Sequence, residues 1–134
     1  MNLLLDYQKK IFNVLKKMEK KKIIIIPSKI KTFILELPPK NNKAHCSSNA
    51  AMILSKINNI EPTLLAEKIK KHLLLNFKEF SHIEIAKPGF LNIYFKTAFW
   101  NNFLIEILKN KSKYGSNKIS KEKYNIEFVS ANPT

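Results

Sequence analysis

The chain has 134 residues, 45% of them hydrophobic, a length and composition that suit one globular domain with a core of its own. Its formal net charge is +14, from 24 basic residues that are all lysine against 10 acids; such a field attracts polyanions, and lysine without arginine suits loose phosphate contacts better than bidentate base readout. A single cysteine, Cys46, excludes an internal disulfide and fits a reducing compartment, while the lack of an 18-residue apolar run argues against a membrane span.

Leu3 to Lys22 reads as a helix, with Leu4, Ile11, Val14, Leu15 and Met18 on one stripe and Lys9, Lys10, Lys16, Lys17 and Lys20 to Lys22 largely off it. Asp6 and the other polar residues here are unlike a signal peptide, so the expected location is the cytoplasm. A basic amphipathic helix can lie on a membrane, but its lysines more often form a solvated face. Ile23 to Ile26 could be a short strand, and Thr32 to Leu37 is a better one, with Phe33, Leu35 and Leu37 alternating with Ile34 and Glu36. Pro38-Pro39 stops it, and a polar loop follows.

Ser47-Ser48-Asn49 is expected to open a second helix to about Ile57, a serine capping it and Ala50, Ile53, Leu54 and Ile57 forming its stripe. Pro62 fits the first turn of a third helix, which carries Leu65, Ile69, His72 and Leu73 to about Asn76. Ser81 to Lys87 is a strand, and Pro88-Gly89 turns it into Phe90 to Lys96. In that second strand Leu91, Ile93 and Phe95 share one face, and Phe90, Asn92, Tyr94 and Lys96 share the other. Two aromatics, an amide and a cation can stack on a base, read its edge and hold its phosphate; an ordinary half-buried strand has the same alternation. Thr97 can cap a fourth helix with Phe99, Trp100, Phe103, Leu104, Ile107 and Leu108 on one broad face. A basic linker, Asn110 to Lys123, leads to a last strand, Tyr124 to Val129, followed by Ser130-Ala131-Asn132-Pro133-Thr134.

Chemistry-bearing motifs are sparse. Two glycines cannot build a Gly-rich phosphate loop, no Cys/His cluster has metal-ligand spacing, and no carboxylate pair stands out. His72 has no partner spaced to make it a ligand, and the neighbours His45 and Cys46 are a poor base–nucleophile pair. The physical reading is a small basic α+β domain, a mainly antiparallel sheet with about four helices, that can bind nucleic acid.

The tail Tyr124 to Thr134, with its Ser-Ala-Asn-Pro-Thr run, resembles the strand that enters the catalytic domain of bacterial arginyl-tRNA synthetases, directly before the family's ATP-binding signature. Three further stretches resemble that family's N-terminal additional domain, in the same order: Ser48 to Lys56, Pro62 to Ile69, and the Ile83 to Phe95 hairpin with its Pro-Gly-Phe-x-Asn. Lys43, Ala44 and His45 stand where the family often has His-Gly-Asp, so that turn lacks its glycine and acid. The resemblance implies a tRNA-binding domain over 1–112, a linker over 113–123 and the start of a catalytic domain over 124–134. It implies that Phe90 and Asn92 hold a D-loop base and that Ser130 and Asn132 help bind arginine in the complete enzyme; Lys87 and Lys96 are further candidates for phosphate contacts, and Tyr94 for stacking or for packing alone. The complete enzyme would use ATP and Mg²⁺ to attach arginine to tRNA(Arg). The 134 residues lack the ATP signature, so the resemblance implies a piece inactive alone, without a cofactor, monomeric and joined to the catalytic and anticodon-binding domains. The rival readings are a free-standing basic RNA-binding module and a protein- or membrane-surface interaction domain.

Overall fold

The computed structural model describes residues 2–28 and 33–115. Four helices, α1 (Leu3–Lys20), α2 (Ala50–Asn58), α3 (Pro62–Asn76) and α4 (Thr97–Asn110), accompany four strands, β1 (Leu35–Glu36), β2 (Cys46–Ser48), β3 (Phe80–Ala86) and β4 (Phe90–Phe95). The strands form one antiparallel sheet in the order β1-β2-β4-β3. The α+β expectation therefore holds, and the tail expected as a strand over 124–129 lies outside the described residues.

One sheet face is covered and the other is open. Leu35, Cys46, Leu91, Ile93 and Ile83 are buried on the covered face, in one core with Ile11, Leu15 and Met18 of α1, Leu54 of α2, and Leu65, Ile69 and Leu73 of α3. Leu91, Ile93, Leu65, Ile69 and Leu73 have no exposure at all. Burial of such side chains stabilises by about 1.5–3 kcal/mol each. The strand pleat sends alternate residues of β4 to opposite faces, and the helices decide which of the two is buried.

The local chemistry explains the starts of α1 and α3. The Asn2 side chain accepts from the Leu5 N–H at 3.2 Å and caps α1. Pro62 occupies the first turn of α3, and the Glu61 carboxylate accepts from the Leu64 N–H at 3.1 Å. Several sequence expectations need correction. Ser47 and Ser48 belong to a strand, and Asn49 is the N-cap of α2 without a side-chain cap bond. The Ser48 side chain still meets the helix start as expected, its Oγ accepting from the Ala50 N–H at 3.3 Å while its backbone pairs with β4. Ile23 to Ile26 form no strand; the backbone N–H of Ile25 donates to the Asn58 side chain at 2.7 Å and that of Ile26 to Glu19 at 3.0 Å. The strand expected to Leu37 ends at Glu36, leaving Leu37 71% exposed, and Ile57 is exposed rather than in the α2 stripe. Thr97 is the first residue of α4 and not its cap, which is Lys96.

The β3–β4 turn, Lys87 to Gly89, leans on the start of α3. Gly89 has φ +151°, and a Cβ there would lie 2.9 Å from the Pro62 Cβ and 3.1 Å from its carbonyl carbon. Only glycine meets both demands, the backbone angle and the close approach. The hairpin is thereby held at both ends, at the turn by Pro62 and at the far end by an aromatic cluster. In that cluster Phe95 lies 4.8 Å from Tyr7, 5.1 Å from Phe80 and 4.4 Å from Phe99 between ring centroids.

Candidate nucleic-acid interface

Pairing across the sheet sets Glu36, Ser47, Asn92 and Glu84 side by side in one row on the open face. At about 4.8 Å per strand the row is about 14 Å wide. Beside Asn92, two residues back along β4, stands Phe90, paired with Ala86 of β3. The Phe90 side chain is half-buried, beside the small Ala86. Tyr94 and Phe95, the other aromatics of β4, each contact another ring, whereas Phe90 has no ring partner among the described residues.

These side chains enclose a recess of about 210 Å³, lined by Glu36, Pro39, Asn42, Ser47, Ala86, Phe90 and Asn92. That is below the roughly 300–1,000 Å³ of drug-sized ligand pockets, and it suits a single planar ring rather than a nucleotide cofactor. Asn92 is 5% exposed and forms part of the recess wall. Its Oδ1 accepts from the Ser47 hydroxyl at 2.8 Å. No hydrogen bond among the described residues uses its Nδ2, and no polar side-chain atom sealed from solvent lacks a partner, so the Nδ2 donors are open to the recess.

The other candidates from the sequence are placed elsewhere. Tyr94 shares the face but not the recess. Its ring stacks on His82 with centroids 4.1 Å apart, and its hydroxyl donates to Glu84 at 2.8 Å, which raises the phenol's pKa. Lys87 lies in the turn and Lys96 beyond the far end of β4, both exposed. The six residues of β4 separate them by about 17 Å or more at about 3.4 Å per step. The two lysines therefore cannot serve one phosphate. Ser130 and Asn132 lie outside the described residues. Among the described residues no three His, Cys, Asp or Glu side chains are grouped so that they could hold a metal ion.

Ser47 and Glu36 were the residues sequence reasoning missed. Ser47 reads as a helix cap until its strand pairing is known. The alternation of Phe33, Leu35 and Ile34 already placed Glu36 opposite the core, but nothing local showed what it faces. His45 is also unforeseen. Its Nδ1 accepts from the Phe95 N–H at 2.8 Å, and its ring lies 5.1 Å from Trp100. Burial, aided by the nearby His82, lowers its pKa and keeps it neutral at pH 7. Cys46 beside it is buried, with a pKa pushed up to about 12, and does not act as a thiolate.

The recess itself carries no lysine, while Lys9, Lys10, Lys16, Lys17, Lys20, Lys21 and Lys22 stand exposed on and just after α1, in the helical layer. Exposed Lys40, Lys43 and Lys87 adjoin the recess-lining residues Pro39, Asn42 and Ala86 in the chain. No helix among the described residues is long and apolar enough to cross a membrane.

Comparison with known proteins identifies the family. The model of the arginyl tRNA synthetase N terminal domain matches residues 5–95. An arginine–tRNA ligase of Pelagibacter ubique is 41% identical over 100% of this chain and 23% of its own length. That of Bartonella quintana is 42% identical over 72% of this chain and 17% of its own, and that of Listeria monocytogenes 33% over 100% and 24%. The chain therefore spans about a quarter or less of these relatives. The arginyl-tRNA synthetase of Thermus thermophilus superposes with a TM-score of 0.56 at 20% identity, covering 82% of this chain and 16% of that one, a likeness of fold. Matched over most of its described residues, this chain belongs to the arginyl-tRNA synthetase N-terminal domain family.

Proposed function

We propose that this domain binds the D-loop of tRNA(Arg) for an arginine–tRNA ligase, seating one unstacked loop base in the recess between Phe90 and Asn92. The observation that carries this reading is the pairing, in one small recess, of an aromatic ring without a ring partner and an amide whose donors are unused. Phe90 supplies stacking, worth about 1–3 kcal/mol per base. Asn92, its Oδ1 held by Ser47, donates to an acceptor on the base edge. Lysines outside the recess, Lys87 and Lys96 among them, supply salt-dependent attraction to the phosphates. Glu36 makes the recess unattractive to a phosphate and so favours a base there. Tyr94, already engaged by His82 and Glu84, supports the face.

The family supports a division of labour in which 1–112 holds tRNA, 113–123 connects, and 124–134 begins the catalytic domain, where Ser130 and Asn132 contact arginine. In the complete enzyme, ATP and Mg²⁺ belong to that later region, and the reaction attaches arginine to the tRNA 3′ end. This piece serves as a binding domain within the cytoplasm, as a monomer.

The test is the affinity of the 134-residue protein for a tRNA(Arg) transcript. Phe90→Ala and Asn92→Ala each weaken binding by about 5–100-fold, the equivalent of one stacking or base-edge contact. Binding unchanged by both substitutions would remove the recess from the interface and favour a surface built on the α1 lysines.

A further inference from the structure

Resting on the reading that the recess takes a loop base, we infer that Glu36 and Ser47 determine which base it accepts: Ser47 by fixing the orientation of the Asn92 amide, and Glu36 by supplying an acceptor on the opposite wall.

The geometry carries this directly. Ser47 stands between Glu36 and Asn92 in the cross-strand row, because β2 lies between β1 and β4. Its hydroxyl donates to the Asn92 Oδ1 at 2.8 Å, in a setting where Ser47 is 6% exposed and Asn92 5%. In this arrangement the hydroxyl donates to the Oδ1 and the Nδ2 is turned toward the recess. With the oxygen occupied, Asn92 shows the recess donors only. An asparagine free to rotate would show either an oxygen or an NH₂ and would tolerate either kind of base edge.

Glu36 complements it. Its carboxylate lines the same recess and makes no hydrogen bond or ion pair among the described residues. An ionised carboxylate is an acceptor only. Strands β1 and β4 are two spacings apart, about 9.6 Å, which leaves room for a planar ring to stand between the two side chains. The recess therefore requires a base with an acceptor toward Asn92 and an N–H toward Glu36. A base with an acceptor facing Glu36 meets a repelling lone pair on an exposed side chain. The same charge that selects the base also repels phosphate. Glu36 thus lowers general affinity and raises selectivity, so removing its charge should change the two in opposite directions.

The experiment uses the 134-residue protein and a set of tRNA(Arg) transcripts in which each D-loop nucleotide is replaced in turn by the other three bases. With the unsubstituted protein, one loop position should show a spread of affinities of about tenfold or more among the four bases. Glu36→Gln keeps the shape, removes the charge and gives the recess a donor. It should collapse that spread at least severalfold while binding the weak transcripts more tightly. Ser47→Ala frees the Asn92 amide to turn, and should raise affinity for bases the unsubstituted protein rejects. Phe90→Ala should weaken all transcripts and leave their ranking unchanged. If the unsubstituted protein has a sensitive loop position, and Glu36→Gln and Ser47→Ala both keep its spread and ranking, this inference is overturned and the D-loop reading stands. If no loop position is sensitive, the D-loop reading fails and takes this inference with it.

Discussion

His45 shows how one side chain can tie a functional strand to the rest of the fold. Its Nδ1 accepts the Phe95 N–H, just past the edge of the β2–β4 ladder, and the ring lies against Tyr94, Phe95 and Trp100. Protonation would turn that acceptor into a second donor and break the bond. Burial lowers the His45 pKa from the ordinary value of about 6.5. The unfolded chain therefore takes up a proton at a higher pH than the folded one. His45 contributes stability that is full above about pH 6.5 and is lost as pH falls through its lowered folded pKa. Urea unfolding between pH 7.5 and 5.5, above the range of ordinary carboxylates, should show a falling midpoint. His45→Gln should flatten this decline, and a wild-type midpoint constant over the window would contradict it.

At the scale of elements, the β3–β4 hairpin organises the site because it is held at its turn and at its far end. Gly89→Ala places a methyl carbon 2.9 Å from Pro62 at a backbone angle unfavourable to L-residues. It should destabilise the domain by about 1–3 kcal/mol, read as a lower urea midpoint. An unchanged midpoint would mean that the turn does not bear on α3. This hairpin was legible in the sequence, because Pro88-Gly89 marks the turn and strict alternation marks the faces. The helices α1 and α3 were legible for the same reason: their apolar stripes repeat at 3.6 residues, although Tyr7 and Ala66 had to be added to them. Strands β1 and β2 were not, because two or three residues carry too little alternation to show a period and owe their form to partners distant in sequence. Two of the seven residues that line the recess, Glu36 and Ser47, come from these two strands. Phe90 and Asn92 could therefore be found from the chain alone, while Ser47 and Glu36 required the register. Helix α4 illustrates a related limit. Its apolar spacing predicted a broad buried face, yet Phe99, Trp100 and Phe103 are only half-buried, and Leu104 and Leu108 are exposed.

Across the whole molecule, exposed lysines stand both on α1 and beside the recess, while the recess lining carries none. A net charge of +14 suits long-range attraction to polyanions, and the proposed selectivity belongs to the recess. The two contributions can be separated by salt. A plot of log affinity against log salt should be linear, and Lys87→Ala or Lys96→Ala should each reduce its slope by about 0.7–0.9 where that lysine meets a phosphate. Phe90→Ala should lower the line without changing its slope, since no charge is removed, and a slope change on that substitution would place the ring among phosphate contacts. The most direct measurement is of location. When a tRNA(Arg) transcript is added to the ¹⁵N-labelled protein, amide signals of Ser47, Ala86, Phe90, Leu91 and Asn92 should shift most. Shifts confined to the lysine-bearing surface of α1, with the open sheet face silent, would contradict base binding in the recess.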